Sequence, residues 1–282
     1  MSTRICGARS PVIALTLLAL VFGGSRIEAM AAPIEQEKPK IIVDPKARAV
    51  FAAVVKTYSA LKSYSCVCYS KSVHSGINSS LTRAASQIRW KPGEIAVSRR
   101  SHTTAFFKWE RSQTLYRAGV LSNWSSLFPK QYTKQEFKSS EKGVVAALQE
   151  GSVSGLGILG DPTGKPSYDD PALREIWLLP PENVAGVPVQ RIRLLFSDDE
   201  GNSVLTIAFD ARTHVLCQQK LLYFYRSGAS VEETETYTNI ALNPALSTNV
   251  FSFVPPHGAV FDQKFSDLLR KLPPDYDEIN SK

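Results

Sequence analysis

The side chains in this sequence that could carry out chemistry begin with its cysteines. Cys66 and Cys68 are two positions apart, so on a β-strand both thiols would lie on one face, and Cys217 is far away in sequence. Two thiols are half of the ligand set of a structural zinc site, and no second Cys pair follows, so we predict no metal. Two alternatives remain: a disulfide from Cys217 to one of the pair, or free buried thiols.

The histidines belong to no known catalytic motif. The chain contains neither H-E-x-x-H nor G-x-S-x-G, the motifs in which histidine binds zinc or accompanies a nucleophilic serine. A thiol–histidine dyad needs only proximity in space, and nothing in the spacing supports one. We therefore predict no catalytic residue and no enzymatic activity, with an unrecognised hydrolase as the last alternative. The four histidines are His74, His102, His214 and His257.

A glycine motif at 155–160, GLGILG, matches the G-x-G-x-x-G pattern of dinucleotide-binding sites. Such a site needs a strand before the glycines and a helix after them, so that the helix N-terminus meets the pyrophosphate. The flanking residues, QEGS at 149–152 and DPTG at 161–164, provide neither element. We interpret the motif as an apolar flap and predict no nucleotide or other cofactor.

Acidic residues cluster on one predicted strand. Glu232, Glu233 and Glu235 lie on or beside it, and alternation places Glu233 and Glu235 on one face, which we predict to be the solvated face of a sheet or an edge that resists pairing. The acidic run at 198–200 lacks the D-x-D-x-D-G order of a calcium loop and is predicted to form a hairpin turn.

The first 31 residues have the pattern of a secretory signal peptide. Arg4 and Arg9 precede an uncharged apolar run from 11 to 24, and small residues at 29–32 follow. This run is shorter than the roughly twenty residues that span a bilayer, so cleavage is favoured over an uncleaved anchor. Cys6 lies before the run, so no lipid-acceptor cysteine stands at the cleavage point. We expect a free, soluble periplasmic protein.

The charge of the mature chain is only mildly basic. Removing residues 1–31 takes away three arginines and one glutamate, which lowers the formal net charge from +7 to +5. Lys and Arg recur singly among acids, whereas a nucleic-acid-binding surface gathers them on one face, so we predict no nucleic-acid partner. The length suits one domain, which we place at 45–272.

Periodicity predicts one helix followed by many strands. Apolar residues at spacings of three and four predict an amphipathic helix over 45–64, with Asp44 as its N-cap and 32–44 as a flexible lead. Closely spaced β-like runs without intervening helices predict an antiparallel sheet. The predicted strands are 65–74, 82–90, 95–101, 103–110, 114–118, 187–196, 203–209, 215–225, 231–242 and 250–254.

The segment 133–166 interrupts this pattern. Thr133 and Glu136 match a capping box, which predicts a helix through about Gln149, and the Gly-rich residues that follow are predicted to be flexible. A long interruption inside a domain is usually a lid, a binding loop or a mobile flap. A short amphipathic helix is predicted over 261–272, before a polar tail at 273–282.

Several stretches resemble the periplasmic lipoprotein-carrier (LolA/LolB-like) superfamily, in particular its branch of predicted periplasmic proteins. They are GVPVQRIRL at 186–194, IAFDART at 207–213, YTNIALN at 237–243 and FSFVPPHGA at 251–259, and the helix start and the 91–93 turn fit in order. The resemblance spans most of the mature chain. It implies a mainly β fold with flanking helices, in which a curved antiparallel sheet forms an incomplete barrel covered by helices.

The same resemblance implies a function without catalysis. The apolar concave face would bind a lipid or an acylated protein, with only peripheral or transient membrane contact, the cavity lying under the helix at 45–64 and the segment 133–166 acting as gate. An envelope sensor of the same fold, binding a membrane-protein partner, is the alternative. Four aromatic residues are candidates for the lining or rim of this cavity, with an ordinary core position as the alternative. They are Phe107, Trp109, Trp124 and Phe128.

Overall fold

Two antiparallel meanders, joined edge to edge, form the fold. The computed structural model describes residues 41–76, 79–104, 109–161 and 170–262. The first meander contains β2 (Tyr64–Ser75), β3 (Ser80–Lys91), β4 (Glu94–Thr103), β5 (Trp109–Arg117), β6 (Val120–Ser125) and β7 (Gln131–Glu136). The second contains β8 (Leu173–Val184), β9 (Val187–Ser197), β10 (Gly201–Asp210), β11 (Leu216–Tyr225) and β12 (Ser230–Leu242).

Antiparallel pairing of β12 with β2 makes the two meanders one sheet. Two short strands, β1 (Ile42–Val43) and β13 (Val260–Phe261), pair in parallel with β8 and β7 at the outer edges, which gives a sheet of 13 strands. The sheet is curved and does not close, so the predicted incomplete barrel is confirmed. Because β1 pairs with β8, the end of the predicted flexible lead is part of the sheet.

Helix α1 (Pro45–Ser59) confirms the predicted amphipathic helix, although it ends before the predicted residue 64, which begins β2, and it lies on the concave face. The Asp44 carboxylate caps it by accepting from Lys46 N at 2.8 Å, and it also accepts from Leu178 N of β8 at 3.2 Å. At the other end the buried Tyr58 hydroxyl accepts from Leu216 N of β11 at 3.2 Å. The helix is thus attached to the sheet at both ends and buries Ala47, Val50, Phe51, Val54 and Tyr58.

Helix α2 (Ser140–Glu150) begins later than the capping box predicts. Residues 133–136 belong to β7, which pairs with β6, and the helix is capped instead by Ser139, whose hydroxyl accepts from Lys142 N at 3.4 Å. The capping-box prediction is therefore wrong: the strand pairing of 131–136 outweighs a local signal that only two side chains carry.

A 3₁₀ helix (Ser154–Leu159) follows α2, and all of its residues are buried. The predicted flexibility of the Gly-rich segment is wrong for 151–161, which packs into the core, while 162–166 lies outside the described residues. Glycine permits the close approach: a Cβ on Gly143 would lie 2.1 Å from Cε2 of Tyr116, and one on Gly155 would lie 2.4 Å from the Tyr237 hydroxyl oxygen. We call the segment 140–160 the cover.

Several predicted boundaries change because pairing overrides local pattern. Strand β8 was missed because it contains Pro180 and Pro181, which sit at a register shift where the ladder is interrupted. The predicted strand at 250–254 is wrong, because a 3₁₀ helix occupies Thr248–Phe251. Of the predicted strand 103–110, Thr103 ends β4 and Trp109 begins β5, while 105–108 lie outside the described residues. Strands β6 and β7 were also not predicted.

Other expectations fall on residues beyond the described ranges. The signal segment 1–31 and the polar tail 273–282 lie outside them, as does most of the predicted helix 261–272, whose first residue is in β13. Across the parts of the chain that the structure describes, neither α-helix has the length and apolar character needed to cross a membrane.

Replacing Gly143 tests the seating of α2 on the sheet. Gly143→Ala should lower the free energy of unfolding by about 1–3 kcal/mol, because its methyl group would overlap the ring of Tyr116, which is 1% exposed. Urea unfolding followed by circular dichroism measures this. Gln149→Ala, at an exposed position of the same helix, is the control and should stay within about 0.5 kcal/mol of the wild type. Equal stabilities of both variants would contradict the contact.

Candidate functional site

The concave face of the sheet has an apolar part and a polar part. The apolar part lies under α1 and the cover and includes Tyr64, Cys66, Ile88 and Val97. Further along the same strands the inward-facing residues become polar. We call the following set the interior polar cluster: Ser72 and His74 of β2, Arg99 of β4, Glu233 and Glu235 of β12, and Ser154 of the cover.

The Glu235 carboxylate attaches the 3₁₀ helix to the sheet. Its Oε1 accepts from the backbone N of Ser154 at 3.0 Å and from the Ser154 hydroxyl at 3.1 Å. Its Oε2 accepts from Gly155 N at 3.0 Å and from the Tyr237 hydroxyl. The residue is 7% exposed, so this carboxylate gives up most of its hydration and obtains four donors in exchange.

Two further side chains hold the cover from neighbouring strands. Arg99 Nη1 donates to the carbonyl oxygens of Gly151 at 3.2 Å and Ser152 at 3.1 Å, and Gln219 Nε2 donates to the Ser154 hydroxyl at 2.9 Å. The turn between α2 and the 3₁₀ helix therefore lies between a guanidinium from β4 and a carboxylate from β12. Side chains of the sheet thus bond the carbonyl oxygens of Gly151 and Ser152 and the N–H groups of Ser154 and Gly155.

Glu233 lies one alternation from Glu235 and has an unusual protonation equilibrium. Burial, and then the charge of Glu235, raise the pKa of Glu233 to about 7. The Ser72 hydroxyl donates to its Oε1 at 3.2 Å and lies 3.1 Å from Nε2 of His74, whose pKa burial lowers. Near neutral pH the cluster thus contains a carboxyl group close to half protonation.

The predicted facing of the acids is half right. Glu233 and Glu235 share a face, as alternation predicts, but that face is the interior and not solvent, and it is Glu232 that is exposed. The sequence signals, a Glu-x-Glu and a distant Ser-x-His, were present. They become one cluster only through the pairing of β12 with β2, which no local pattern encodes.

The three cysteines within the described ranges, Cys66, Cys68 and Cys217, are free and buried. Cys66 and Cys68 lie on the concave face, whereas Cys217 belongs to a separate cluster with Val189 and Ala208. Of the two alternatives, free buried thiols is confirmed for Cys66, Cys68 and Cys217, and the bridge from Cys217 is not formed. Burial raises the pKa of Cys66 to about 12 and that of Cys68 as well, so both remain thiols at neutral pH and are poor nucleophiles.

The aromatic residues predicted to line the cavity lie elsewhere. Trp109 opposes His102 and Trp124 opposes Gln113, and these pairs point to the convex face. Trp109 is 57% exposed, and Phe128, in the loop after β6, is 51% exposed. Strand parity turns Trp109 and Trp124 away from the concave face, which corrects the expectation for these two residues. Phe128 is an exposed loop residue and not part of the core, and Phe107 lies outside the described residues.

No protein-family model and no curated protein matches this chain. Among solved structures it is similar to the crystal structure of MucB, with a TM-score of 0.37 and 13% identity over 75% of this chain and 64% of that one. A DUF1329 family protein from Desulfovibrio piger aligns with a TM-score of 0.27 and 12% identity over 73% of this chain and 97% of that one. The chain spans less than two thirds of the length of MucB.

Neutralising Glu235 should loosen the cover. In Glu235→Gln one acceptor oxygen is replaced by an NH₂ group that faces other donors, so we expect a loss of about 1.5–3 kcal/mol in the free energy of unfolding. Hydrogen exchange at the amides of Ser154 and Gly155 should accelerate more than exchange in α1. Glu232→Gln, an exposed position on the same strand, should leave both readouts unchanged. Unchanged exchange in Glu235→Gln would contradict the attachment.

The raised pKa of Glu233 should make stability depend on pH. The folded protein keeps a proton that the unfolded chain, with a pKa of 4.5, releases, so the free energy of unfolding falls as pH rises from about 4.5 to about 7. We expect a fall of about 1–3 kcal/mol, absent in Glu233→Gln and retained in Glu232→Gln. Subtracting the variant's urea-unfolding profile from that of the wild type removes the contribution of His74. Parallel profiles would refute the assignment.

Proposed function

We propose that this protein binds the acyl chain of a lipid or of a lipidated protein on its concave face, as a non-enzymatic periplasmic carrier or chaperone. The observation that carries the proposal is how the apolar part of that face is closed. Strands do not close it; α1 and the cover do, and the 3₁₀ helix fills it with Leu156, Ile158 and Leu159. These branched side chains occupy the kind of space that an acyl chain needs.

The cover is attached in a way that permits exchange. Apolar contacts hold its side chains, while its polar attachments are the bonds from Glu235, Arg99 and Gln219 to a short segment. An entering acyl chain would replace the apolar contacts between the cover and the sheet, and burial of each of its methylenes would contribute about 0.8 kcal/mol of favourable free energy. What it must overcome is therefore mainly the polar attachment of Ser154 and Gly155. The residues around these bonds form the gate in this proposal.

The chemistry of the interior supports binding over catalysis. The concave thiols are protonated by burial, His74 contacts the Ser72 hydroxyl and no thiol, and Glu235 is engaged by four donors. A cysteine hydrolase would need an activated thiol with a base in reach, and burial keeps Cys66 and Cys68 protonated. The resemblance to lipoprotein carriers in 186–259 points in the same direction.

Fluorescent fatty-acid uptake tests the proposal. We expect saturable uptake by the wild type and faster uptake by Glu235→Gln, because the cover opens more often, while Glu232→Gln behaves as the wild type. Bound fatty acid should increase hydrogen exchange across 154–159, which places the ligand under the cover and not on the outer surface. Native mass spectrometry of gently purified protein should show a lipid adduct.

Two results would overturn the proposal. The first is a protein that carries no lipid adduct and takes up no fluorescent fatty acid. The second is uptake that proceeds equally in Glu235→Gln and the wild type and leaves exchange at 154–159 unchanged, since binding would then take place elsewhere.

A further inference from the structure

Cations from five strands form a band on the convex face of the sheet. Directly opposed residues of antiparallel neighbours point to the same face, and strand pairing generates two adjacent rows of such residues. One row runs Lys220, Thr234, Lys71, Arg83, His102, Trp109 across β11, β12, β2, β3, β4 and β5. The other runs Gln218, Thr236, Tyr69, Ala85, Arg100, Arg111. We call these two rows the convex basic band.

The band concentrates positive charge. Its Lys and Arg residues are all exposed, and neither row contains Asp or Glu. The ion pairs of Lys91, Arg117 and Arg191 with glutamates involve no residue of the two rows. With strands about 4.8 Å apart, six strands carry the band over roughly 24 Å. Along the chain Lys and Arg are interspersed with acidic residues, but strand pairing places these Lys and Arg side chains together on one face of the sheet.

Exposed aromatic rings lie among these charges. Trp109 is 57% and Tyr69 53% exposed, and the guanidinium carbon of Arg100 lies 4.6 Å from the centroid of the Trp109 ring. Tryptophan and tyrosine, with one apolar and one polar end, are the side chains that settle at the headgroup level of bilayers. A cation stacked on such a ring can contact a lipid phosphate while the ring meets the acyl boundary.

Apolar residues next to the band favour a bilayer over a nucleic acid. Leu222 and Phe224 of β11 continue the convex face beyond Lys220 and are 37% and 51% exposed. A duplex offers these side chains no apolar surface to bury against, whereas a lipid interface does. The nearest acid of this next row, Glu232, lies opposite Leu222 and outside the two rows.

We propose that the convex basic band docks the protein reversibly on an anionic lipid bilayer. Lys71, Arg83, Arg100 and Arg111 would contact lipid phosphates, and Trp109 and Tyr69 would lie at headgroup depth. In this orientation the concave face, α1 and the cover point away from the bilayer. The inference stands on the convex face alone and does not depend on what the concave face binds.

Vesicle binding tests the proposal with a matched pair of variants. The protein should bind vesicles of phosphatidylcholine that contain about 30 mol% phosphatidylglycerol, and binding should shift the fluorescence emission of Trp109 to shorter wavelength. The protein should dissociate from the vesicles as the NaCl concentration rises. The double variant K71E/R83E should bind at least about tenfold more weakly. The control K46E/K142E carries the same change in net charge on exposed residues of α1 and α2, and it should bind as the wild type. W109F should lose most of the emission shift.

Each other outcome overturns the docking surface. Equal affinity for pure phosphatidylcholine would exclude recognition of anionic lipid, and equal losses in the two double variants would show a net-charge effect without a surface. Binding to DNA or heparin as tightly as to the vesicles, without a shift in Trp109 emission, would assign the band to soluble polyanions. Thermal melts confirm that the variants fold, and retained fatty-acid uptake by K71E/R83E separates this result from the proposed function.

Discussion

A single buried carboxylate sets the conditions for the interior of this molecule. Glu235 is stable inside the sheet only because Ser154, Gly155 and Tyr237 surround it with donors. The N–H groups at the start of the 3₁₀ helix can in turn be buried only because the Glu235 carboxylate accepts their hydrogen bonds. The packing of Leu156 and Ile158 over the concave face, and with it the closed form of the half-barrel, depends on this exchange.

The sequence predicts those features of the fold that depend on contacts between residues close together in the chain. Asp44 and Pro45 define the start of α1, and period-two alternation identifies most of the hairpin strands, because these signals act within a few residues. The start of α2 was mispredicted because Thr133 and Glu136 gain more from pairing with β6 than from capping a helix. Pro180 and Pro181 hid β8, since a bulge at an edge tolerates them.

The candidate site was beyond local reasoning for a different reason. Parity along β12 groups Glu233 with Glu235, but which face is interior depends on the partner strands and on what covers them. The same parity along β2 directs Cys66, Cys68 and Ser72 inward and Tyr69 and Lys71 outward. One strand thus contributes to both the interior polar cluster and the convex basic band, and a register slip of one residue would exchange the two sets.

The junction of β2 with β12 has a consequence for how the chain folds. It joins residues far apart in sequence, such as Tyr64 and Leu242, and just beyond the two strands Lys62 N donates to Asn243 Oδ1 at 2.7 Å across a separation of 181 positions. The first meander can assemble from neighbouring hairpins, but β2 keeps an open hydrogen-bonding edge until β12 reaches it. Such long-range closure is slow, and an open edge invites pairing with another chain. Aggregation through this edge is therefore favoured in the interval between the synthesis of β2 and the synthesis of β12.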